Sequence, residues 1–316
     1  MAIESGAARA DLRPAAVGRR SLRLTLLLLL NRWGWAKVLG LLLPALALLL
    51  FYLVIPFGML VVMSFYKSTL FGITRDFSWN NYLHFTRNRM FPILLVKSIR
   101  MALTVTAIGL LVSYPFAYFL ARGTRRFKTA LLILVMVPFW TSYLIRTMSW
   151  LPILGIKGLV NYSLLSLHLV TSPVEVFLFN EFSVILTLIH IYLPYMVVPI
   201  YLSLDRLDGR LLEAAGDLGA NPARTFWHVT LPLSLPGVVG GLVMVFIAAF
   251  GAYVTPKLLG GSSGIMFGNV VADQYSGTFN WPFGAVLALI MIGVVLLLLV
   301  IASRFTRLDA VFGTSA

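Results

Sequence analysis

The sequence lacks cysteine entirely and carries very little charge. Without cysteine there is no disulfide framework, no thiolate nucleophile and no cysteine metal site. Charged residues make up 11% of the 316 residues and hydrophobic residues 59%, whereas about a quarter of a soluble domain is charged. The composition therefore excludes an ordinary soluble fold and indicates an integral membrane protein.

Acidic side chains are absent from every long hydrophobic run. Six runs are long enough to cross the ~30 Å hydrocarbon core as helices, at residues 38–66, 98–120, 129–151, 183–203, 235–256 and 281–303. We predict an all-α membrane fold. Backbone N–H and C=O groups find no hydrogen-bond partners in lipid, so a span must be a helix or a strand of a closed barrel, and the sequence lacks the alternating ten-residue pattern of barrel strands. All eleven acidic residues fall in loops or tails. Ion-coupled carriers usually need carboxylates within the membrane, so this distribution disfavours that class.

Signatures of nucleotide binding, metal binding and catalysis are also missing. No Gly-Lys-Ser or Gly-Lys-Thr occurs, so if ATP drives this protein, another chain binds the ATP and its magnesium. The four histidines are scattered without metal-ligand spacing, at His84, His168, His190 and His228. We predict no enzyme activity, no metal site and no cofactor in this chain.

Positive charge is abundant but unevenly distributed. With six spans, 16 of the 25 Lys and Arg residues share one side with both termini and the 204–234 loop, and seven lie in the opposite loops. The positive-inside rule then makes both termini cytoplasmic. We predict an N-terminal extension at 1–37 with a short interfacial helix, a six-helix domain at 38–303 and a tail at 304–316. We expect the side of the membrane with the excess of Lys and Arg to contact anionic lipid. The sequence has no stripe of basic residues interleaved with aromatic residues, so it does not indicate nucleic-acid binding.

One polar, helix-forming segment lies between two strongly apolar runs and so has to lie at a membrane face. Its pattern predicts two short helices separated by Gly219. Asp208 caps the first helix, and Asn221 with Pro222 begins the second. The first helix has an apolar face made of Leu211, Leu212, Ala215 and Leu218. We call residues 208–232 the elbow.

The elbow is expected to end where proline interrupts it. Pro232 and Pro236 would end the second helix, and the next membrane span would begin there. A helix–glycine–helix elbow on a membrane surface suits a lever that passes force between a membrane body and a soluble partner. The alternative is an amphipathic interfacial hairpin with no partner.

The elbow also resembles a known motif. Glu213-Ala214-Ala215, Gly219 after three residues, then Val229 and Leu231-Pro232 are similar to the EAA motif of ABC importer permeases, with valine in place of the usual isoleucine. In that family the loop forms a coupling helix that docks into a cleft on an ATPase subunit. The resemblance implies that role for Glu213, Ala214, Ala215, Leu218, Gly219, Asn221, Pro222 and Pro232.

Arg146 is the one basic residue well inside a predicted span. An arginine at a helix centre costs about 2.5–3.5 kcal/mol on insertion scales, so it normally faces the bundle or a watery cavity. Tyr143, Arg146 and Trp150 share one helix face and are candidates to line a translocation path. Further aromatic candidates are Tyr192, Tyr195, Phe250 and Tyr253. A structural role for Arg146, and helix packing for the aromatic residues, are the alternatives.

Other segments are similar to the spermidine/putrescine-type permease family. They are residues 114–118, 138–161, Pro256 with Leu259-Gly260-Gly261, and 280–284. The resemblance implies a bacterial inner-membrane subunit that imports a polyamine or related small organic solute. Its partners would be a second permease in a heterodimer, an ATPase dimer and an extracytoplasmic solute-binding protein. The alternatives are a secondary transporter, a membrane scaffold, or a permease for a non-polyamine solute such as an amino-acid derivative or opine.

Overall fold

The computed structural model describes residues 34–69, 72–123 and 126–305. The predicted interfacial helix of the N-terminal extension, and the tail beyond residue 305, lie outside the described residues. The chain divides into two compact units, residues 1–60 and 61–316. The described part of the first unit belongs to one apolar helix that contains Pro44 and Pro56.

Helices dominate the described residues, with one short antiparallel hairpin. Its strands are β1 (Lys67–Thr69) and β2 (Gly72–Thr74), with Ser68 paired to Ile73. In chain order the helices are α1 (Gly34–Ser64), α2 (Asn80–Arg87), α3 (Met90–Tyr118), α4 (Lys128–Met136), α5 (Tyr143–Met148), α6 (Trp150–Leu154), α7 (Leu159–Ser166), α8 (Glu181–Asp205), α9 (Gly209–Asp217), α10 (Pro222–Thr225), α11 (Leu231–Phe250), α12 (Val254–Leu259), α13 (Phe267–Ser276) and α14 (Trp281–Phe305).

Within the described residues, five helices are long and apolar enough to cross a membrane, and a bent helix pair makes six if it counts as one span. The five are Gly40–Ser64, Met90–Gly123, Glu181–Asp205, Pro222–Phe250 and Trp281–Arg304. Short helices lie between the spans: α2 precedes the second predicted span, and α7 lies between the third and the fourth. Sequence reasoning did not anticipate the β1–β2 hairpin.

The third predicted span, 129–151, is not one straight helix. Helices Lys128–Trp140 and Tyr143–Ser166 meet at 97°. Pro138 lies in a 3-10 turn at Val137–Trp140, and Thr141 follows with an extended backbone. Because a proline cannot donate the hydrogen bond that continues an α-helix, the chain turns here.

Two further boundaries and the placement of the acidic residues differ from prediction. α3 begins at Met90 rather than residue 98, and α11 ends at Phe250 rather than 256. Glu181 and Asp205 are the first and last residues of α8, not loop residues. Both acids are held in ion pairs with lysine or arginine on neighbouring elements.

The core of the second unit is built from α3, α8 and α11, which pack on one another. Their facing side chains are apolar and almost completely buried, as expected for a continuous packed interior. The largest of these buried side chains include Met101, Leu188, Met196, Ile200, Phe246 and Phe250.

Glycines let α11 approach α8 closely. A Cβ at Gly237 would overlap the carbonyl oxygen of Pro199 and the Ser203 side chain, and one at Gly241 would lie 2.8 Å from Met196 Sδ. Small residues of this kind bring helix backbones together where lipid provides no hydrophobic force between helices. The α8–α11 contact therefore depends on the absence of side chains at two positions.

Charged residues connect the starts of α3 and α8. Arg100 Nη2 lies 2.5 Å from Glu181 Oε2, and Lys97 Nζ lies 3.5 Å from Glu181 Oε1. Lys97 also donates to the carbonyl oxygen of Ser263 in the loop before α13. Arg100, which was predicted to lie inside a span, is therefore compensated by an acid on the neighbouring helix.

Candidate functional site

The elbow has the local structure that its sequence predicts. Asp208 Oδ1 accepts a hydrogen bond from the Arg210 amide at 3.0 Å at the start of α9. Asn221 Oδ1 accepts from the Arg224 amide at 2.8 Å at the start of α10. Between the two helices Gly219 has φ +80°, a left-handed conformation that glycine adopts without steric cost. The predicted caps and the glycine break are confirmed.

The prediction that Pro232 and Pro236 stop the second helix is wrong. The helix runs on from α10 through a π-turn at Phe226–Thr230 into α11, and Pro222–Phe250 forms one continuous helical span. Pro232 lies in the first turn of α11, and the wider π-turn before it relieves the constraint that a proline places on a helix. α10 and α11 are therefore parts of one helix, with no break between them.

The outer face of the elbow is exposed and partly apolar. Leu218 has 88% of its surface accessible and Trp227 has 63%, and Glu213 is also exposed. On the inner side, Leu212 and Ala215 are half-buried. The predicted apolar face is thus divided, with Leu218 turned outward. Exposed apolar side chains of this kind can bind another protein.

The inner face of the elbow is held to the helical body by specific contacts. The ring of Phe226 packs edge-on against Tyr114 of α3, with 5.7 Å between centroids. The Tyr114 hydroxyl lies 2.9 Å from Ser234 Oγ on α11. Arg122 Nη2 donates to the Leu207 carbonyl oxygen at 2.7 Å, immediately before the elbow. These contacts join the elbow to both α3 and α11.

The predicted path residues on the third span all follow the 141–142 bend. The Tyr143 hydroxyl lies 2.7 Å from Thr255 Oγ1. The Trp150 indole donates to His190 Nδ1 at 3.3 Å. Arg146 lies over the ring of Phe139, with 5.8 Å from Cζ to the centroid. All three predicted side chains are half-buried.

An aromatic cluster forms next to Arg146. Phe139 packs edge-on against Tyr195 at 4.9 Å, and Tyr195 against Tyr192 at 6.0 Å. Arg146 is near enough to Tyr192 to interact with it electrostatically. We call Phe139, Tyr143, Tyr192 and Tyr195 the aromatic cluster. Sequence reasoning missed Phe139, and its place directly after Pro138 at the bend is the signal that could have identified it.

The last two path candidates lie elsewhere. Phe250 is completely buried in the core and stacks on Phe246, so it presents no surface to a path. Tyr253 is half exposed and lines a separate cavity of about 390 Å³ with Lys257 and Asp273. The described residues contain no group of three or more potential metal ligands.

Comparison with known proteins identifies relatives over most of the chain. Residues 109–308 match the family described as binding-protein-dependent transport system inner membrane component. The chain is 34% identical over 268 residues to the spermidine/putrescine transport system permease protein PotB of Haemophilus influenzae, covering 82% of this chain and 91% of the relative. It is 39% identical over 232 residues to PotB of Salmonella typhimurium, covering 73% of this chain and 80% of the relative.

A solved structure shares the fold. The chain is similar to one chain of a bacterial ABC transporter involved in the import of the acidic polysaccharide alginate, with a TM-score of 0.69 and 17% identity. The match covers 90% of this chain and 98% of that chain. The match over residues 109–308 and the extended similarity to PotB establish that the chain belongs to the family of binding-protein-dependent transport system inner membrane components.

Proposed function

We propose that this protein is a permease subunit of an ATP-driven importer for a polyamine such as spermidine or putrescine, or for a related small organic solute. Its sequence identity of 34% and 39% to two PotB proteins supports a polyamine as the solute. Six spans result when the bent pair is counted as the third, and the distribution of basic residues among their loops supports cytoplasmic termini. In this topology the N-terminal extension ends near residue 37 and the tail begins near 304.

The observation that carries this proposal is the exposed elbow that continues into a membrane helix. Glu213, Leu218 and Trp227 offer a surface for a soluble subunit. Because α10 runs without interruption into α11, a force applied at the elbow reaches the helix that packs on α8. That is the mechanical connection an ATP-driven importer needs between its motor and its membrane body.

The partners follow from the family and from what the sequence lacks. An ATPase dimer would bind ATP and magnesium, because this chain has no phosphate-binding loop. A second permease would complete the path as a heterodimer, and an extracytoplasmic binding protein would deliver the solute. The aromatic cluster would form part of that path, since aromatic faces attract organic ammonium groups.

Reconstitution tests the function directly. Proteoliposomes with this chain, a second permease, the ATPase dimer and the binding protein should accumulate labelled putrescine or spermidine only when ATP is supplied. Omission of the ATPase should abolish accumulation. Uptake by this chain alone, driven by a proton or sodium gradient, would contradict the proposal and favour a secondary transporter.

Replacement of Phe226 with alanine should weaken coupling without releasing the ATPase. The ring ties the elbow to Tyr114, and an aromatic pair contributes about 0.5–1.5 kcal/mol. We expect uptake per ATP hydrolysed to fall about twofold to tenfold, the factor that corresponds to this free energy. Co-purification of the ATPase should persist, because Trp227 and Leu218 remain on the outer face.

The matched control for that variant is Phe51→Ala, which removes the same ring from an exposed position on α1. It should leave the ratio of uptake to hydrolysis unchanged. An unchanged ratio in Phe226→Ala as well would show that the Tyr114 contact does not transmit force.

A further inference from the structure

Positive charge on the extracytoplasmic face is concentrated in one segment. In the proposed topology the segments 67–97, 152–182 and 257–280 lie on that face. The first has five Lys or Arg residues and one acid, the second has one basic and two acidic residues, and the third has one of each. Because basic residues are normally kept on the cytoplasmic side, the excess of positive charge in the first segment indicates a function other than orientation.

The arginines of this segment are not used to hold the fold together. Its two lysines each pair with an acid of this chain, at 3.9 Å and 3.5 Å. Arg75, Arg87 and Arg89 are exposed, and none of the three makes an ion pair among the described residues. Three guanidinium groups are therefore free to bind acidic groups from outside the chain.

The arginines belong to a segment that folds as one unit. We call residues 64–69 and 72–91 the outer platform, which contains the β1–β2 hairpin and α2. Asn81 Nδ2 on α2 donates to the carbonyl oxygens of Ser64 and Tyr66, at 2.9 Å and 2.8 Å, and so ties α2 to the chain that enters the hairpin. A surface on such fixed elements loses less conformational entropy on binding than a flexible loop does.

Ring contacts anchor the outer platform to the helical body. The His84 ring packs edge-on against Phe283 of α14, with 4.9 Å between centroids, and the Phe85 ring packs edge-on against Phe267 of α13 at 6.5 Å. These rings of α2 are thus in contact with the protein. Because a helix that lies on a membrane needs its apolar face for lipid, the contacts favour a soluble partner over a membrane surface.

Exposed apolar side chains accompany the arginines. Phe77, Trp79 and Met90 have 72%, 66% and 56% of their surface accessible. Aromatic residues, Met and Arg are the types enriched in protein–protein interfaces, and Trp and Arg are prominent among the residues that contribute most to binding. A cavity of about 810 Å³, lined by His84, the hairpin and the turn before α14, can accept a side chain of a partner.

A soluble protein with an acidic surface fits these features. We infer that the solute-binding protein docks on the outer platform, and that Arg75, Arg87 and Arg89 pair with Asp or Glu side chains of that protein. The inference rests on the binding protein of the proposed function, which has to approach the permease from this side of the membrane. Opposite charges on the two surfaces would also steer the encounter and raise the association rate.

The first test measures the affinity of the binding protein for the full transporter. The complex of both permeases and the ATPase dimer is placed in phosphatidylcholine nanodiscs, and spermidine-loaded binding protein is titrated at low salt. Arg87→Gln combined with Arg89→Gln should raise the Kd at least about tenfold, because two charged contacts across the interface are lost. The difference should shrink as salt is added, because salt screens exposed charges.

The matched control is Lys157→Gln combined with Lys257→Gln. It removes the same number of charges from two exposed residues of the other outer segments, which also make no ion pair among the described residues. The control should have the wild-type affinity for the binding protein. An equal loss in both variants would overturn the inference, because it would assign the effect to the total charge of this face.

The second test locates the contact and does not depend on affinity. Because the chain has no cysteine, Arg89→Cys provides a single attachment point for a photo-crosslinker. Irradiation should join this chain to the binding protein, and the joined segment of the binding protein should contain Asp or Glu. Lys157→Cys, labelled to the same extent, should give no such product.

Two further results would overturn the inference. One is wild-type affinity of the Arg87→Gln and Arg89→Gln double variant at normal membrane abundance. The other is a loss that appears only in nanodiscs containing phosphatidylglycerol, which would assign the arginines to anionic lipid. If the binding protein neither binds the wild-type complex nor stimulates its ATP hydrolysis, the proposed function itself fails, and the wild-type sample distinguishes this outcome.

Discussion

Glu213→Lys should abolish ATP-driven uptake while the protein still inserts in the membrane at normal levels. Glu213 lies on α9, its side chain is exposed, and it makes no hydrogen bond or ion pair among the described residues. Reversing its charge therefore disturbs no contact within the described part of the chain. At an interface with the ATPase, loss of a paired charge costs about 2–5 kcal/mol of binding free energy. Uptake should therefore fall by more than about tenfold.

The measurement compares labelled solute uptake, membrane abundance and ATPase co-purification in the same membranes. Glu175→Lys is the matched control, since Glu175 is also an exposed acid but lies in the loop between α7 and α8, far along the chain from the elbow. This control should transport normally. Normal uptake by Glu213→Lys would contradict the coupling role, whereas loss of membrane insertion in that variant alone would assign Glu213 to folding.

The elbow could be predicted because its determinants are local. Asp208 and Asn221 cap helices through their own neighbouring amides, and Gly219 takes a conformation that other residues resist. Such signals need no knowledge of distant parts of the chain. The exposed side of α9 was harder to predict, because whether Leu218 faces inward depends on how the elbow lies against the body.

Two features could not be predicted because they depend on competition between local and tertiary forces. Pro138 and Pro194 both interrupt apolar runs, yet the chain bends sharply near Pro138 and continues as a helix through Pro194. α8 is surrounded by α3 and α11, and this packing keeps a proline-containing helix intact. Similarly, the π-turn at Phe226–Thr230 lets the helix continue through Pro232, although a proline usually marks the end of a helix.

Among the candidate path residues, sequence periodicity identified Arg146 but not its neighbours from other elements. Tyr143, Arg146 and Trp150 all follow the 97° bend. Residues from α8 and from the turn before the bend then become the neighbours of Arg146. No one-dimensional pattern contains these contacts, because they join elements that are distant in the sequence.

Gly237→Ala should destabilise the folded protein although it adds a single methyl group. The new Cβ would overlap the Pro199 carbonyl oxygen, and the Ser203 side chain would also have to move. Since a backbone oxygen cannot rotate away, α11 would have to shift from α8. Overpacking of this kind costs about 1–3 kcal/mol, and unfolding of the purified protein in detergent, followed by heating or by SDS titration, measures the loss.

Gly240→Ala is the matched control, on the same helix and three residues away. Its new Cβ would meet only the Pro199 Cβ at 4.0 Å, an ordinary van der Waals contact, and alanine favours a helix over glycine by up to about 1 kcal/mol. This variant should be as stable as the wild type or slightly more so. Equal destabilisation by both substitutions would show that glycine acts through helix flexibility. A loss confined to Gly237→Ala would show that the close approach of α8 and α11 stabilises the fold.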